Sequence, residues 1–249
     1  MTWTVFWYLE HKGLIAKAVF RTLGLESLVT SQKEPTMLLW GVPWRESPAA
    51  TKLQSGVINI LDDLNERPRS EPDIILDFGT SGLVIIEAKY HSDNSELKEH
   101  ELYKFDRYLG QNFFLDCERV RSTRLYELAR NWRIGCELAK GRSFWLLNLL
   151  SREKKDKRLD DFSASLRKSE PGSTPAIETE NSNTSEEKPE CVKLTSDSAS
   201  DSGCIEMTRF FERKTWRTLL GNIPRDPWFD RFVTERELMV PSDAAVRAQ

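Results

Sequence analysis

Cysteine and histidine are scarce in this chain, and neither residue type is clustered. The 249 residues include 4 Cys and 3 His, with no CxxC pair and no Cys/His group at the spacing of zinc ligands. The pattern therefore predicts neither a structural zinc site nor a disulfide framework. Unpaired, scattered cysteines fit a reducing compartment, so we expect a cytoplasmic protein.

Long apolar runs are also missing. No run approaches the roughly 20 apolar residues that a membrane-spanning helix needs, and Glu10, His11 and Lys12 interrupt the apolar N-terminal stretch. We expect no membrane span, no secretory signal and no membrane partner. The sequence leaves the oligomeric state open, with a homodimer among the alternatives.

The chain has little net charge of either sign, but its charges are unevenly distributed. The chain carries a net charge of -3, and residues 168–206 hold nine acidic residues against three lysines, which leaves +3 for the remainder. This stretch is rich in Ser, Thr, Glu and Pro and has no aromatic residue, so it cannot bury enough surface to offset the entropy of ordering it. We predict one domain formed by residues 1–167 plus 207–249, with a disordered acidic insertion at 168–206.

Apolar residues are plentiful outside this stretch. Hydrophobic residues make up 39% of the chain, with 8 Trp and 12 Phe, which is enough for one sizeable core. Apolar spacing of three to four predicts one buried helix over residues 3–25, another over 95–116 and a third over 119–140 that ends before Gly141. Residues 156–167 predict one short polar helix.

Several segments have the length and composition of strands. Residues 37–42 and the continuous apolar run 143–150 predict buried strands, the second covered on both faces. Residues 74–78 and 83–88 are β-rich runs around a Gly-Thr-Ser-Gly turn, which predicts a hairpin. The aromatic-rich segment 210–232 is too apolar for a tail, so we expect it to return to the same core.

Asp73 lies at the start of the first strand of the predicted hairpin, and Glu87 and Lys89 lie on the second, where apolar residues are expected. Alternation places Glu87 and Lys89 on one face of the second strand. If Gly79 pairs with Gly82, Asp73 lies opposite Ala88, and a shift of one residue places Asp73 directly beside Glu87 or Lys89. Two close carboxylates repel each other unless a cation joins them, and their oxygens suit Mg²⁺ or Mn²⁺.

These residues resemble the signature of the PD-(D/E)XK nuclease superfamily: Pro72-Asp73, a hairpin, then Glu87-Ala88-Lys89. The resemblance implies an α/β restriction-endonuclease-like fold, an α-β-β-β-α-β core with a central mixed sheet flanked by helices. It makes Asp73 and Glu87 metal ligands and Lys89 the residue that orients or deprotonates the attacking water. The further acid that the family carries on its first helix would fall on Glu10.

The resemblance implies a metal-dependent nuclease that hydrolyses phosphodiester bonds of nucleic acid, with DNA favoured and Mg²⁺ or Mn²⁺ as cofactor. One alternative is a catalytically inactive nuclease-fold module that binds nucleic acid or protein. Another is a structural protein whose aromatic C-terminal segment docks a partner. The alternative for Glu10 is a carboxylate at the edge of the helix that pairs with Lys17 or with another neighbour. We favour a solvated face over phosphate contacts for four arginines of the third helix: Arg121, Arg124, Arg130 and Arg133.

Overall fold

The protein has an α/β fold built on one mixed six-stranded sheet. The computed structural model describes residues 2–26, 34–67, 70–89, 94, 97–110, 112–153, 155–166, 209–221 and 223–235. The strands are β1 Thr36–Leu39, β2 Val42–Pro43, β3 Ile74–Asp77, β4 Leu83–Ala88, β5 Phe144–Leu150 and β6 Arg209–Thr215, in the order β2-β1-β3-β4-β5-β6.

Strand direction divides the sheet into two halves. The pairs β1–β2, β1–β3 and β3–β4 are antiparallel, whereas β4, β5 and β6 run parallel to one another. Strand β6 follows residues 167–208, and its pairing with β5 brings the C-terminal segment into the same sheet, as predicted. The predicted disordered insertion itself lies outside the described residues.

Helices cover both faces of the sheet. They are α1 Thr2–His11, α2 Ile15–Thr22, α3 Pro48–Asp63, α4 Tyr103–Asp106, α5 Cys117–Thr123, α6 Tyr126–Ala139, α7 Lys157–Ala164, α8 Trp216–Gly221 and α9 Pro227–Glu235. Helices α3, α4, α5, α6 and α7 pack in one apolar cluster on one face of the sheet. Helices α1, α2, α8 and α9 pack in a second cluster on the other face. None of the helices in the described ranges is long and apolar enough to cross a membrane.

Three of the predicted helices are wrong in extent. The predicted helix over 3–25 is two helices, because Gly13 turns the chain at a φ of 63°. The helix over 119–140 is likewise divided, by Arg124 in the left-handed conformation at a φ of 58°. The predicted helix over 95–116 is reduced to the 3₁₀ turn Glu99–Glu101 and α4, since Arg107 and Tyr108 anchor the chain to Glu66 instead.

The strand predictions hold more closely. The predicted strand 143–150 is β5, buried on both faces, and the predicted short polar helix is α7. The predicted strand over 37–42 ends at Leu39, because Trp40 and Gly41 have φ values of 48° and 73° and form a tight turn into β2. Positive φ at both turn residues is the geometry of a two-residue hairpin loop.

Helix α6 lies unusually close to the sheet. A Cβ added to Gly135 would lie 2.0 Å from Cζ of Phe144 on β5, so the aromatic ring occupies the space that any larger residue would need. The absence of a side chain at this position therefore sets the distance between α6 and the parallel strands. That distance fixes which α6 side chains reach the end of β4.

Candidate functional site

Asp73 immediately precedes β3 and lies opposite Glu87 in the hairpin. The register pairs Ile74 with Ile86 and Ile75 with Ile85, which continues to Asp73 opposite Glu87. The predicted pairing of Gly79 with Gly82 is wrong by one residue, because the N–H of Phe78 donates to the carbonyl of Gly82. The correct register places the two carboxylates side by side on one face.

The Asp73 carboxylate is oriented by neutral donors. Its Oδ1 accepts from the indole N–H of Trp40 at 3.2 Å, and its Oδ2 accepts from the backbone N–H of Ala88 at 2.8 Å. In the described part of the chain, no Lys or Arg pairs with it. Asp73 therefore keeps its negative charge uncompensated by a direct ion pair.

Glu87 is almost completely buried, with 3% of its surface exposed. Its Oε1 lies 2.7 Å from Nζ of Lys89, and its Oε2 accepts from the side-chain N–H of Asn131 at 2.7 Å. Burial raises the pKa of the Glu87 carboxyl, and the charge of Asp73 raises it further, while Lys89 opposes both effects. A second positive charge beside Asp73 and Glu87 would relieve this repulsion.

Lys89 follows β4 directly and is held between two acids. Its Nζ lies 2.7 Å from Glu87 and 2.7 Å from Oε2 of Glu127. Burial alone would lower the pKa of Lys89, but the charge of Glu87 and hydrogen bonds to both acids outweigh it and raise the pKa above the ordinary lysine value. The amine therefore remains protonated at neutral pH.

Two further polar residues of the site lie on α6 and were missed from the sequence. Glu127 and Asn131 are four residues apart and so face the same side of the helix, toward Lys89 and Glu87. Asn131 is fully buried, and its Oδ1 accepts from Nε of Arg130, which is 2% exposed. The sequence predicted one uninterrupted helix over residues 119–140, and that prediction gave no reason to select these two positions.

The second aspartate of β3 has a different environment. Asp77 lies at the opposite end of the strand, where Oδ1 is 2.6 Å from Nη1 of Arg142 and also accepts from the N–H of Gly79. Asp77 is therefore paired with a cation, and its hydrogen bond with Gly79 stabilises the hairpin turn. Asp73 and Asp77 lie on the same strand face, but among the described residues only Asp77 has a cationic partner.

The donor set at the end of β3 and β4 fits a hard divalent cation. Asp73 and Glu87 supply carboxylate oxygens from adjacent strands, and their charges repel without a cation between them. Among the residues that the structure describes, no group of three or more Asp, Glu, His or Cys is arranged to hold a metal ion. Any cation here would therefore depend on these two carboxylates and on neutral oxygen donors.

Glu10 lies on α1, away from these contacts. Its Oε1 is 2.5 Å from Nη2 of Arg45. Burial is the main cause of the raised pKa of Glu34, and the charge of Glu10 contributes to it. Helix α1 packs in the apolar cluster on the sheet face opposite that of α6. The structure thus joins Glu10 to Arg45, and its predicted role as a metal ligand stays a prediction that the site described above does not use.

The arginines of the predicted third helix do not share one solvated face. Arg130 is buried, which contradicts that prediction, and it also reaches the hydroxyl of Ser70 at 2.5 Å. The other three pair with acids in the same region: Arg121 with Asp106, Arg124 with Glu99, and Arg133 with Glu137. These charges are already neutralised within the protein and present no free phosphate-binding row.

An exposed aromatic surface lies beside Asp73. Trp3 and Trp40 are 47% and 48% exposed, and their rings are stacked with centroids 6.2 Å apart. Trp44 packs on Trp3 at 4.6 Å, and a cavity of about 190 Å³ lies between Trp3, Trp44 and β1–β2. Since Trp40 also donates to Asp73, this tryptophan surface is directly connected to the carboxylate pair.

Comparisons with known proteins add no relative. Neither a scan of the chain against family models, nor a search of curated proteins, nor a search of solved structures finds a match. The functional interpretation therefore rests on the contacts of the site.

Proposed function

We propose that the protein is a metal-dependent nuclease of restriction-endonuclease-like fold that hydrolyses phosphodiester bonds, with DNA as the favoured substrate and Mg²⁺ or Mn²⁺ as the cofactor. One observation carries the proposal. Asp73 and Glu87 lie opposite each other on adjacent strands, and the protonated amine of Lys89 lies 2.7 Å from Glu87. Paired carboxylates with a fixed positive charge suit phosphoryl chemistry.

The fold supports the proposal. The order α1, β1, β3, β4, α6, β5 gives a helix, three antiparallel strands, a helix and a parallel strand, which agrees with the α-β-β-β-α-β core that the sequence signature implies. The polar residues of the signature fall together at one end of β3 and β4. Fold alone does not establish an activity, so the site contacts have the greater weight.

Each side chain has a distinct role in the proposed reaction. Asp73 and Glu87 would hold the cation, which would supply activation of a water and stabilisation of charge on the phosphate. Lys89 directs positive charge toward the attacking water and the phosphate. Its raised pKa favours this orienting role over the removal of a proton, the other role that the resemblance implies. Asn131 and Glu127 hold Glu87 and Lys89 in position.

The tryptophan surface formed by Trp3, Trp40 and Trp44 supports nucleic acid as the substrate. Exposed indole rings stack with unpaired bases, and such stacking is worth about 1–3 kcal/mol per base. Trp40 connects this surface to Asp73 through a hydrogen bond of 3.2 Å. A nucleic acid that stacks on Trp40 would therefore pass beside Asp73.

A catalytically inactive nucleic-acid-binding module is the second candidate. The observation that favours it is the closed pairing of the polar atoms: Lys89 is held by two acids, and both oxygens of Glu87 already have partners. A protein of this kind would retain the aromatic surface without needing a cation. The two candidates differ in what happens when Asp73 is removed.

A cleavage assay tests the proposal with a matched pair of variants. The wild type, Asp73→Ala and Asp77→Ala are incubated with plasmid, linear duplex DNA, single-stranded DNA and RNA, each with Mn²⁺, Mg²⁺ or a chelator. We expect cleavage only with a divalent ion, and a loss of about a hundredfold or more in Asp73→Ala because a ligand is removed. Asp77→Ala should cleave normally per folded molecule, since Asp77 pairs with Arg142.

The same experiment separates the alternatives. Absence of divalent-dependent cleavage by the folded wild type, together with salt-sensitive DNA binding that survives Asp73→Ala, would favour the inactive binding module. Neither cleavage nor nucleic-acid binding would contradict both and leave a structural protein. Equal loss of cleavage in Asp73→Ala and Asp77→Ala would show that β3 matters only for folding.

A further inference from the structure

Asn148 is an unsatisfied polar residue in an otherwise apolar strand. It is 0% exposed, and neither its Oδ1 nor its Nδ2 has a hydrogen-bond partner in the parts of the chain that the structure describes. Leaving a buried amide unpaired costs the free energy of removing it from water, so such groups are rare and each one calls for an explanation such as a bound water or ion. The rest of β5 is Phe, Trp and Leu, and a leucine would fit this position.

The position of Asn148 relates it to the candidate site. The β4–β5 register pairs Asn148 with Glu87, so both side chains lie on the same sheet face, the face that α6 covers. Asp73 lies on the other side of Glu87. Three neighbouring strands thus present Asp73, Glu87 and Asn148 in one row, with strands about 4.8 Å apart.

The two buried asparagines of the site, Asn131 and Asn148, differ in the hydrogen bonds that their side chains make. Asn131 donates to Glu87 and accepts from Arg130, so its amide is already engaged on both sides. Within the described ranges, neither polar group of Asn148 has a partner, although it lies beside a buried carboxylate. A neutral oxygen there also avoids adding a further negative charge to Asp73, Glu87 and Glu127, whose repulsion contributes to the raised pKa of Glu87.

We propose that Asn148 is a third ligand of the cation site, contributing its Oδ1 to the divalent ion that Asp73 and Glu87 bind. Its Nδ2 then donates to an oxygen of a water or phosphate on that ion. This inference rests on the proposed function, because it requires the cation. It also explains why a polar residue occupies a fully buried position in β5.

Calorimetric titration of Mn²⁺, combined with thermal unfolding, tests the role of Asn148. The variants are Asn148→Leu, which matches the shape without an oxygen, and Asn148→Asp, which keeps the oxygen and adds charge. We expect Asn148→Leu to unfold without metal at or above the wild-type temperature and to bind Mn²⁺ about tenfold more weakly or worse. Asn148→Asp should unfold earlier without metal and gain more stability from Mn²⁺ than the wild type does.

The outcomes separate this inference from the proposed function. Saturable Mn²⁺ binding by the wild type and equal affinity in Asn148→Leu would overturn the role of Asn148 and leave the Asp73–Glu87 site intact. No saturable Mn²⁺ binding by the wild type would overturn both. If Asn148→Leu does not fold, Asn148→Asp decides: a Mn²⁺-induced stabilisation no larger than that of the wild type would overturn the proposal.

Discussion

Lys89 shows how single residues depend on one another in this site. Its amine neutralises Glu87 and Glu127 at 2.7 Å each, while Asp73 lies beside Glu87 without a cationic partner among the described residues. One positive charge thus contacts two carboxylates, and Asp73 lies beside one of them. The arrangement is stable only if the remaining negative charge is met by solvent or by a cation.

Replacing Lys89 by Met should therefore make the stability of the protein more dependent on a bound divalent cation. Removing one partner of a buried ion pair costs about 3–5 kcal/mol, because it leaves uncompensated charge. We expect Lys89→Met to lose about this much stability without metal, and to regain more from Mn²⁺ than the wild type does, while cleavage stays lost. Urea unfolding with and without Mn²⁺ measures both effects.

Lys104 provides the matched control for this change. It pairs with Glu101 at 2.7 Å on the surface, where its side chain is 40% exposed, so Lys104→Met should change the stability little and should not alter the response to Mn²⁺. If Lys89→Met were as stable as Lys104→Met without metal, Lys89 would not be neutralising the acids of the site.

At the scale of elements, α6 connects the site to the core. It carries Glu127 and Asn131 toward Lys89 and Glu87, and Gly135 lets it approach the ring of Phe144 on β5. A side chain at position 135 would push the helix outward. The geometry of the polar residues is therefore coupled to a packing contact one to two helical turns away.

Gly135→Ala should destabilise the protein although alanine favours helix formation. Its Cβ would lie 2.0 Å from Cζ of Phe144, and such overpacking costs about 1–3 kcal/mol. The penalty should shrink in a Phe144→Leu background, because the clashing ring is gone. Chemical denaturation of the single and double variants measures this coupling.

Gly56 on α3 is the corresponding control. Its added Cβ would meet only the flexible end of Leu138 at 3.0 Å, so Gly56→Ala should be close to neutral or stabilising by up to about 1 kcal/mol. A Gly135→Ala variant that behaved like Gly56→Ala would show that α6 can move outward at no cost.

Sequence patterns predicted some elements well and others poorly, for physical reasons. The hairpin and β5 were predictable because long β-rich runs and a glycine turn are local signals. The predicted hairpin register was wrong by one residue. It assumed that Gly79 pairs with Gly82, whereas Gly79–Ser81 form a 3₁₀ turn. The break at Arg124 was not predictable, because a left-handed non-glycine residue has no strong sequence signal.

The site was only partly predictable for the same reason. Asp73, Glu87 and Lys89 could be selected because they interrupt an apolar hairpin. Their partners Glu127 and Asn131 depend on how α6 rotates over the sheet, which tertiary packing decides. Asn148 is a single polar residue within an apolar run, and only the strand register shows that it lies beside Glu87.

At the scale of the whole molecule, segments distant in sequence support the site. Trp216, at the start of α8, is fully buried, and its indole N–H donates to the carbonyl of Lys89 at 3.3 Å. β6 extends the parallel half of the sheet, and α8 packs against α2 on the opposite face from α6. The C-terminal segment is therefore part of the structure that positions Lys89.

Calorimetric titration of Mn²⁺ into the wild type, Glu87→Gln and Asp77→Asn determines whether Asp73 and Glu87 form a divalent cation site, as we propose. We predict saturable binding by the wild type, a loss of about tenfold or more in Glu87→Gln, and unchanged affinity in Asp77→Asn, whose carboxylate is already paired with Arg142. Equal Mn²⁺ affinity in the wild type and Glu87→Gln would contradict the claim, because Glu87 would then not be a ligand.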